Sequence, residues 1–378
     1  MSYHILPNSN NYICVAPKTS QQQLAPCISV TLYNYYNESK RIIDDMCMSD
    51  TVLSSNTFAD IIRLTNPHEY IYSKVPGSKF SVGKLKPKSN LLYDMIEVMT
   101  TLNMMDVFKV GPMNFLHVGR NGEDAHDSIE MLRDRHDDDQ TYLFNEINTE
   151  LHKTVSDTKF DFMFCEIEND ICDNLNLYVL HIIKFFTLLL KNQSADGNCV
   201  IKIDHNFHKP VIDILYLLSS MYEKVYIIKP NTSNPMTYEK YIVCKRYLTD
   251  DKKQEHNQTN FGRIFQFLRS FTRNRNIVSL VDDDIPSFFM NKLDDSNIII
   301  GQQQIESLNQ VINLLNNKNR HDKIELVKKA NIQKSVNWCE KFKIPCNKFS
   351  EKTNMFLPLD DITPSRIDTF AHLAVTFR

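Results

Sequence analysis

A lysine inside an apolar run is costly to keep there, and this chain has one at Lys202, in "NCVIKID" (198–204). A second ionisable group, Glu239, stands just ahead of another apolar run, "YIVCKRY" (241–247). An amine whose proton affinity is lowered by burial or by a nearby cation can take a proton from a weak acid such as a hydroxyl, and a carboxylate can orient that amine. Read alone, the same two residues also fit a strand-end lysine that snorkels to water and a loop carboxylate. Further upstream, "FLHVGRNGEDAHDS" (115–128) places Gly119 and Gly122 after an apolar run. Small residues there let backbone approach a ligand closely, although a plain strand-to-helix turn has the same spacing. His126 and His136, near the charged run "RDRHDDDQ" (133–140), lack metal-ligand spacing, and no metal is expected.

The elements that must hold these residues follow from periodicity. Short apolar runs at 113–118, 141–147, 160–167, 198–204, 224–230 and 241–247 read as strands, with helical segments such as 174–192 and 209–222 between several of them. Strands alternating with helices imply a mainly parallel sheet covered on both faces. The connection "NTSNPMTYE" is too short for a helical crossover, so the last two strands are expected to pair as an antiparallel hairpin at the sheet's edge. Residues 88–105 read as a helix with Leu91, Leu92, Met95, Val98, Met99 and Leu102 on one face.

The flanks differ from this centre. Residues 1–80 are rich in Asn, Ser, Gln and Tyr and broken by prolines, which predicts a loosely structured N-terminal extension with one helix near 37–64. Residues 251–378 read as a helical module, and 81–250 as the central domain. A net charge of -3 means that a nucleic-acid partner must be held by a local basic patch. The nine cysteines contain no CxxC pair and read as reduced thiols in a cytoplasmic protein. The N-terminus lacks the basic start and apolar core of a signal peptide. The apolar stretch 175–190, interrupted by His181 and Lys184, is expected to be a buried helix, and no membrane is expected as a partner.

The run from Lys202 onward resembles the C-terminal half of the FtsJ-like ribose 2′-O-methyltransferases, a family that includes rRNA and viral mRNA cap enzymes. The match covers the strand with Lys202, the helix after it, and then Lys229, Pro230, Thr232, Ser233, Pro235, Glu239, Tyr241, Ile242 and Val243. The resemblance implies an α/β fold with a Rossmann-like class I methyltransferase sheet. It also implies a Lys-Asp-Lys-Glu tetrad around a target ribose, in which Lys202 and Glu239 take the last two places. Glu166, ending "FDFMFCE" (160–166), falls at the tetrad aspartate, one methylene longer. The implied cofactor is S-adenosylmethionine, with Gly119, Gly122 and Glu146 as its contacts; for Glu146 a solvent-facing strand glutamate is the other reading.

The first half departs from the family. "SNLLYDMIEV" (89–98) keeps Ser89 and Glu97 but has Asp94 where a lysine is expected, and Lys84, Lys86 and Lys88 lie just upstream. His117 stands at the strand-end acid, and Arg120 and Glu123 stand among positions for small residues. Two functional expectations therefore stand. One is an S-adenosylmethionine-dependent RNA ribose 2′-O-methyltransferase, with a viral mRNA cap as substrate and the host cytoplasm as its place. The other is a methyltransferase-like pseudoenzyme that binds RNA or stabilises a second viral subunit. For RNA, Arg263, Arg269, Arg273 and Arg275 interleaved with Phe265, Phe267 and Phe271 offer phosphate contacts and stacking, or simply an amphipathic helix.

Overall fold

The computed structural model describes residues 2–9, 12–49, 55–108, 111–167, 174–272, 274–317 and 321–347. In chain order the strands are β1 (Ser2–Leu6), β2 (Val15–Ser20), β3 (Asn114–Val118), β4 (Gln140–Phe144), β5 (Phe160–Glu166), β6 (Gln193–Ile203), β7 (Tyr222–Lys229), β8 (Lys240–Tyr247) and β9 (Asn276–Val281). The α-helices are α1 (Val30–Ser49), α2 (Ser55–Thr65), α3 (Leu91–Thr101), α4 (Gly122–Glu130), α5 (Thr149–Thr154), α6 (Leu175–Asn192), α7 (Lys209–Met221), α8 (Asp251–Ser270), α9 (Ser287–Asn316) and α10 (His321–Lys341). They fall into two compact units, each drawn from several stretches of chain. The first takes Met1–Tyr33, Val98–Pro230 and Tyr238–Gly301; the second takes Asn34–Glu97, Asn231–Thr237 and Gln302–Arg378.

The first unit holds a seven-stranded sheet in the order β1-β7-β8-β6-β5-β3-β4. β3 pairs in parallel with β4 and β5, and β5 with β6, while β8 runs antiparallel between β6 and β7. Parallel strands with antiparallel β8 inserted between β6 and β7 make the Rossmann-like methyltransferase arrangement that the resemblance implies, and β1 adds a second antiparallel strand beside β7. Because side chains alternate along a strand, the two faces carry different residues. Leu116, Val118, Met163, Cys165, Cys199 and Ile201 join the main apolar core with residues of α6 and α7. The other face carries Phe115 against Phe162 and His117 against Phe164, and further along it Glu166 beside Lys202.

Local chemistry sets the helices on the core face. The Asn174 side chain caps α6 by accepting from the backbone of Asn176 and Leu177, at 3.1 and 3.2 Å. This helix is long and apolar enough to cross a membrane by length and composition, but 61% of its 18 residues are buried within the protein. In α7, Pro210 sits in the first turn, where a missing N–H leaves no bond unmade. The second unit has its own core, in which Ile71, Val82, Leu92, Tyr93 and Ile96 meet Trp338, Cys339 and Ile344.

Several expectations need correction. The hairpin of β7 and β8 is not at the sheet's edge, because β1 pairs antiparallel with β7 from Ser2–Lys229 to Leu6–Val225. The first eighty residues likewise hold more order than a loose extension: β1 joins the main sheet, β2 pairs with β9, and two helices replace the single one near 37–64. β1 is only five residues long, and its pairing is non-local, so no periodic signal announces it. Between α8 and α9 the helical tail is interrupted by β9.

Candidate active site

Lys202 lies next to the last residue of β6, in register with Glu166 on β5 and Tyr241 on β8. Its Nζ is 3.3 Å from Glu166 Oε1 and 3.6 Å from Glu239 Oε2, with the three side chains only 15%, 5% and 11% exposed. Sheet geometry brings them together: β5 and β6 are parallel and adjacent, and Glu239 immediately precedes β8 on the other side of β6. With all three groups largely desolvated, removing any one of them leaves buried charge poorly compensated.

Each acid has a further holder. Asn121 Nδ2 donates to both Glu166 oxygens, at 2.9 Å each. Lys229 Nζ, at the end of β7, donates to the main-chain carbonyl of Glu239 at 2.8 Å. Sequence reasoning placed Lys229 in a motif without a role and passed over Asn121, whose only signal is an amide between two glycines.

Gly119 takes φ +150, and a Cβ there would come within 2.7 Å of Glu166 Cβ. Gly119→Ala is therefore expected to cost about 1–3 kcal/mol from the backbone alone, with the clash adding to it, and urea unfolding measures the loss. Its backbone N–H donates to Phe144 O at 2.8 Å, fastening the loop to the end of β4. A Cβ on Gly122 would press on His117 Nδ1 at 3.2 Å and on Leu143. The His117 ring is fully buried, and neither of its nitrogens has a hydrogen-bond partner among the described residues. Burial lowers its pKa to about 4, against the pull of Glu166, so the imidazole is neutral at physiological pH. Glu146 lies exposed two residues beyond β4.

Behind the site, Lys240 is in register with Ile203, one residue out of step with Lys202, and so points to the opposite face. It is buried and donates to Asn206 Oδ1 at 2.9 Å and Asn297 Oδ1 at 3.3 Å.

In the second unit, Asp94 is buried and accepts a short hydrogen bond from the Thr232 hydroxyl. Glu97 accepts from the Asn231 backbone at 3.0 Å, the Asn231 side chain at 2.8 Å and the Trp338 indole at 2.9 Å. Both acids of α3 thus anchor the turn that follows Pro230, while Lys84, Lys86 and Lys88 are exposed. On α8, Phe261 and Phe267, with Phe271 just after it, pack against the core and Arg263 donates to Val15 O, as an amphipathic helix would. Phe265 is 47% exposed with the Arg269 guanidinium over its ring, and Arg273 lies outside the described residues.

Residues 112–247, which carry every element of this site, match the family described as FtsJ-like methyltransferase. The chain carries an FtsJ-like methyltransferase domain. Over 113 residues it is 29% identical to a cap-specific mRNA (nucleoside-2′-O-)-methyltransferase 1 of Dictyostelium discoideum, covering 29% of this chain and 14% of that protein. Over 150 residues it is 25% identical to uncharacterized protein R383 of Acanthamoeba polyphaga mimivirus, covering 40% and 39%. The chain thus spans well under half the length of these curated relatives. A putative ribosomal RNA methyltransferase of Plasmodium falciparum is similar at TM-score 0.32 and 16% identity, over 43% of this chain and 100% of that one. The matched segment begins just before β3 and ends with β8, and so leaves β1 outside it.

Proposed function

We propose that this protein is an S-adenosylmethionine-dependent RNA ribose 2′-O-methyltransferase acting on an mRNA cap. The observation that carries this reading is Lys202 Nζ lying within 3.3 and 3.6 Å of two carboxylates drawn from neighbouring strands. A ribose hydroxyl is a poor nucleophile, and these three groups can remove its proton. The Lys202 ammonium orients the hydroxyl, passes one of its own protons to Glu166 or Glu239, and takes the hydroxyl proton in exchange, so charge is conserved within the site. The cofactor, when bound, supplies an electrophilic methyl group to the freed oxygen. The loop from Gly119 to Gly122 and the unpartnered His117 imidazole are the residues that would hold it, since a buried polar ring without a partner fits a ligand's polar group.

A second reading, an RNA-binding or partner-stabilising pseudoenzyme, is favoured by Asp94, whose carboxylate holds Thr232 where the family's first lysine is expected. It is also favoured by Gly119, whose missing side chain makes room for Glu166 rather than for a ligand. Calorimetry separates the two. The enzyme reading expects S-adenosylmethionine to bind and its methyl group to appear on the 2′-oxygen of capped RNA. No binding at millimolar cofactor would leave the pseudoenzyme.

A further inference from the structure

We propose that Asn121 is a positioning residue that fixes the Glu166 carboxylate against Lys202, an inference that rests on the methyltransferase reading above. Asparagine is among the strongest helix N-cap residues, and Asn121 occupies the N-cap of α4. Yet its side chain makes no cap hydrogen bond, with the residue at φ -99 and ψ 39. The amide instead reaches across to β5 and gives both Glu166 oxygens a 2.9 Å bond. A side chain that forgoes its own helix for a distant acid serves that acid.

The same loop closes on Glu166 from its other end. Gly119 lets the backbone lie where a Cβ would be 2.7 Å from Glu166 Cβ and 3.2 Å from Oε2, so the acid is held at its root by Gly119 and at its tip by Asn121. Glutamate has one more rotatable bond than aspartate, and an unheld carboxylate at the end of β5 would sample positions away from Lys202. With Asn121 in place, one oxygen is presented to Nζ at 3.3 Å. Through Asn121 the loop assigned to the cofactor also sets the geometry of the proton-handling group.

The test compares Asn121→Ala and Asn121→Asp in the wild-type and Glu166→Ala backgrounds by thermal unfolding. Aspartate caps a helix as well as asparagine does, so a residue acting only as a cap would tolerate Asn121→Asp. Positioning predicts the opposite, because a second carboxylate would then face Glu166. Both variants are expected to lower the midpoint by roughly 2–6 °C in the wild-type background and to have little effect once Glu166 is alanine. Equal shifts in both backgrounds, or a neutral Asn121→Asp, would overturn the assignment. On capped RNA, Asn121→Ala should lower kcat by about 10–100-fold, and Asn121→Ala/Glu166→Asp should regain part of it. An inactive wild type would sink the methyltransferase reading, while the unfolding comparison still decides the role of Asn121.

Discussion

Lys202→Met is expected to lower methyl transfer by about 10²–10⁴-fold and to destabilise the protein by roughly 3–5 kcal/mol. The first effect follows from removing the group that exchanges protons with the hydroxyl. The second has a separate origin. Glu166 and Glu239 are 5% and 11% exposed, and losing the lysine takes away the cation that both carboxylates approach. Breaking a buried ion pair by deleting one partner is far more harmful than never having built it.

Because both effects follow from one change, activity alone cannot assign the role. Lys202→Met/Glu166→Gln separates them. Removing one of the two carboxylate charges should recover much of the stability and none of the rate, since the amine that takes the hydroxyl proton is still missing. Urea unfolding and single-turnover methyl transfer on capped RNA measure the two quantities independently. A Lys202→Met protein that keeps wild-type turnover would remove this amine from the chemistry, and one that unfolds no more easily would show that the carboxylates do not depend on it.

What was legible in the sequence and what was not divide along physical lines. The Lys202 strand was readable because an ionisable group in an apolar run conflicts with its surroundings, and the ordered residues after it left few alternatives. Its partners met it because β5, β6 and β8 are neighbours in the sheet, an adjacency implied by the family resemblance and not by the alternation of strands and helices. β1 was missed because five residues among asparagines and prolines carry too short a pattern, and its partner lies more than two hundred residues away. Asp94 was read as a reversed charge at a lysine position. In the structure it is a buried acceptor for Thr232, a contact that depends on tertiary packing and leaves no periodic trace. Asn121 has the same limit: an asparagine between glycines signals a turn, and only the fold shows which acid its amide reaches.

Lys240 leads to a prediction about pH. It is fully buried, and burial, helped by the charge of Lys229 and opposed by that of Asp204, lowers its pKa from 10.5 to about 7. The folded protein therefore prefers the neutral amine, whereas the unfolded chain holds the proton up to its ordinary value. Between pH 7 and about 10.4 the unfolded state binds more protons, so stability rises with pH across that window and is lost as pH falls back through it. The full window is worth on the order of a few kcal/mol. Lys240→Met removes this titration, at the cost of leaving the Asn206 and Asn297 oxygens without their donor. Subtracting the mutant's unfolding free energy from the wild type's at each pH cancels the other ionisable groups. That difference should climb in favour of the wild type from pH 7 to 9.5, and parallel curves would show that the ammonium reaches water or a counter-charge.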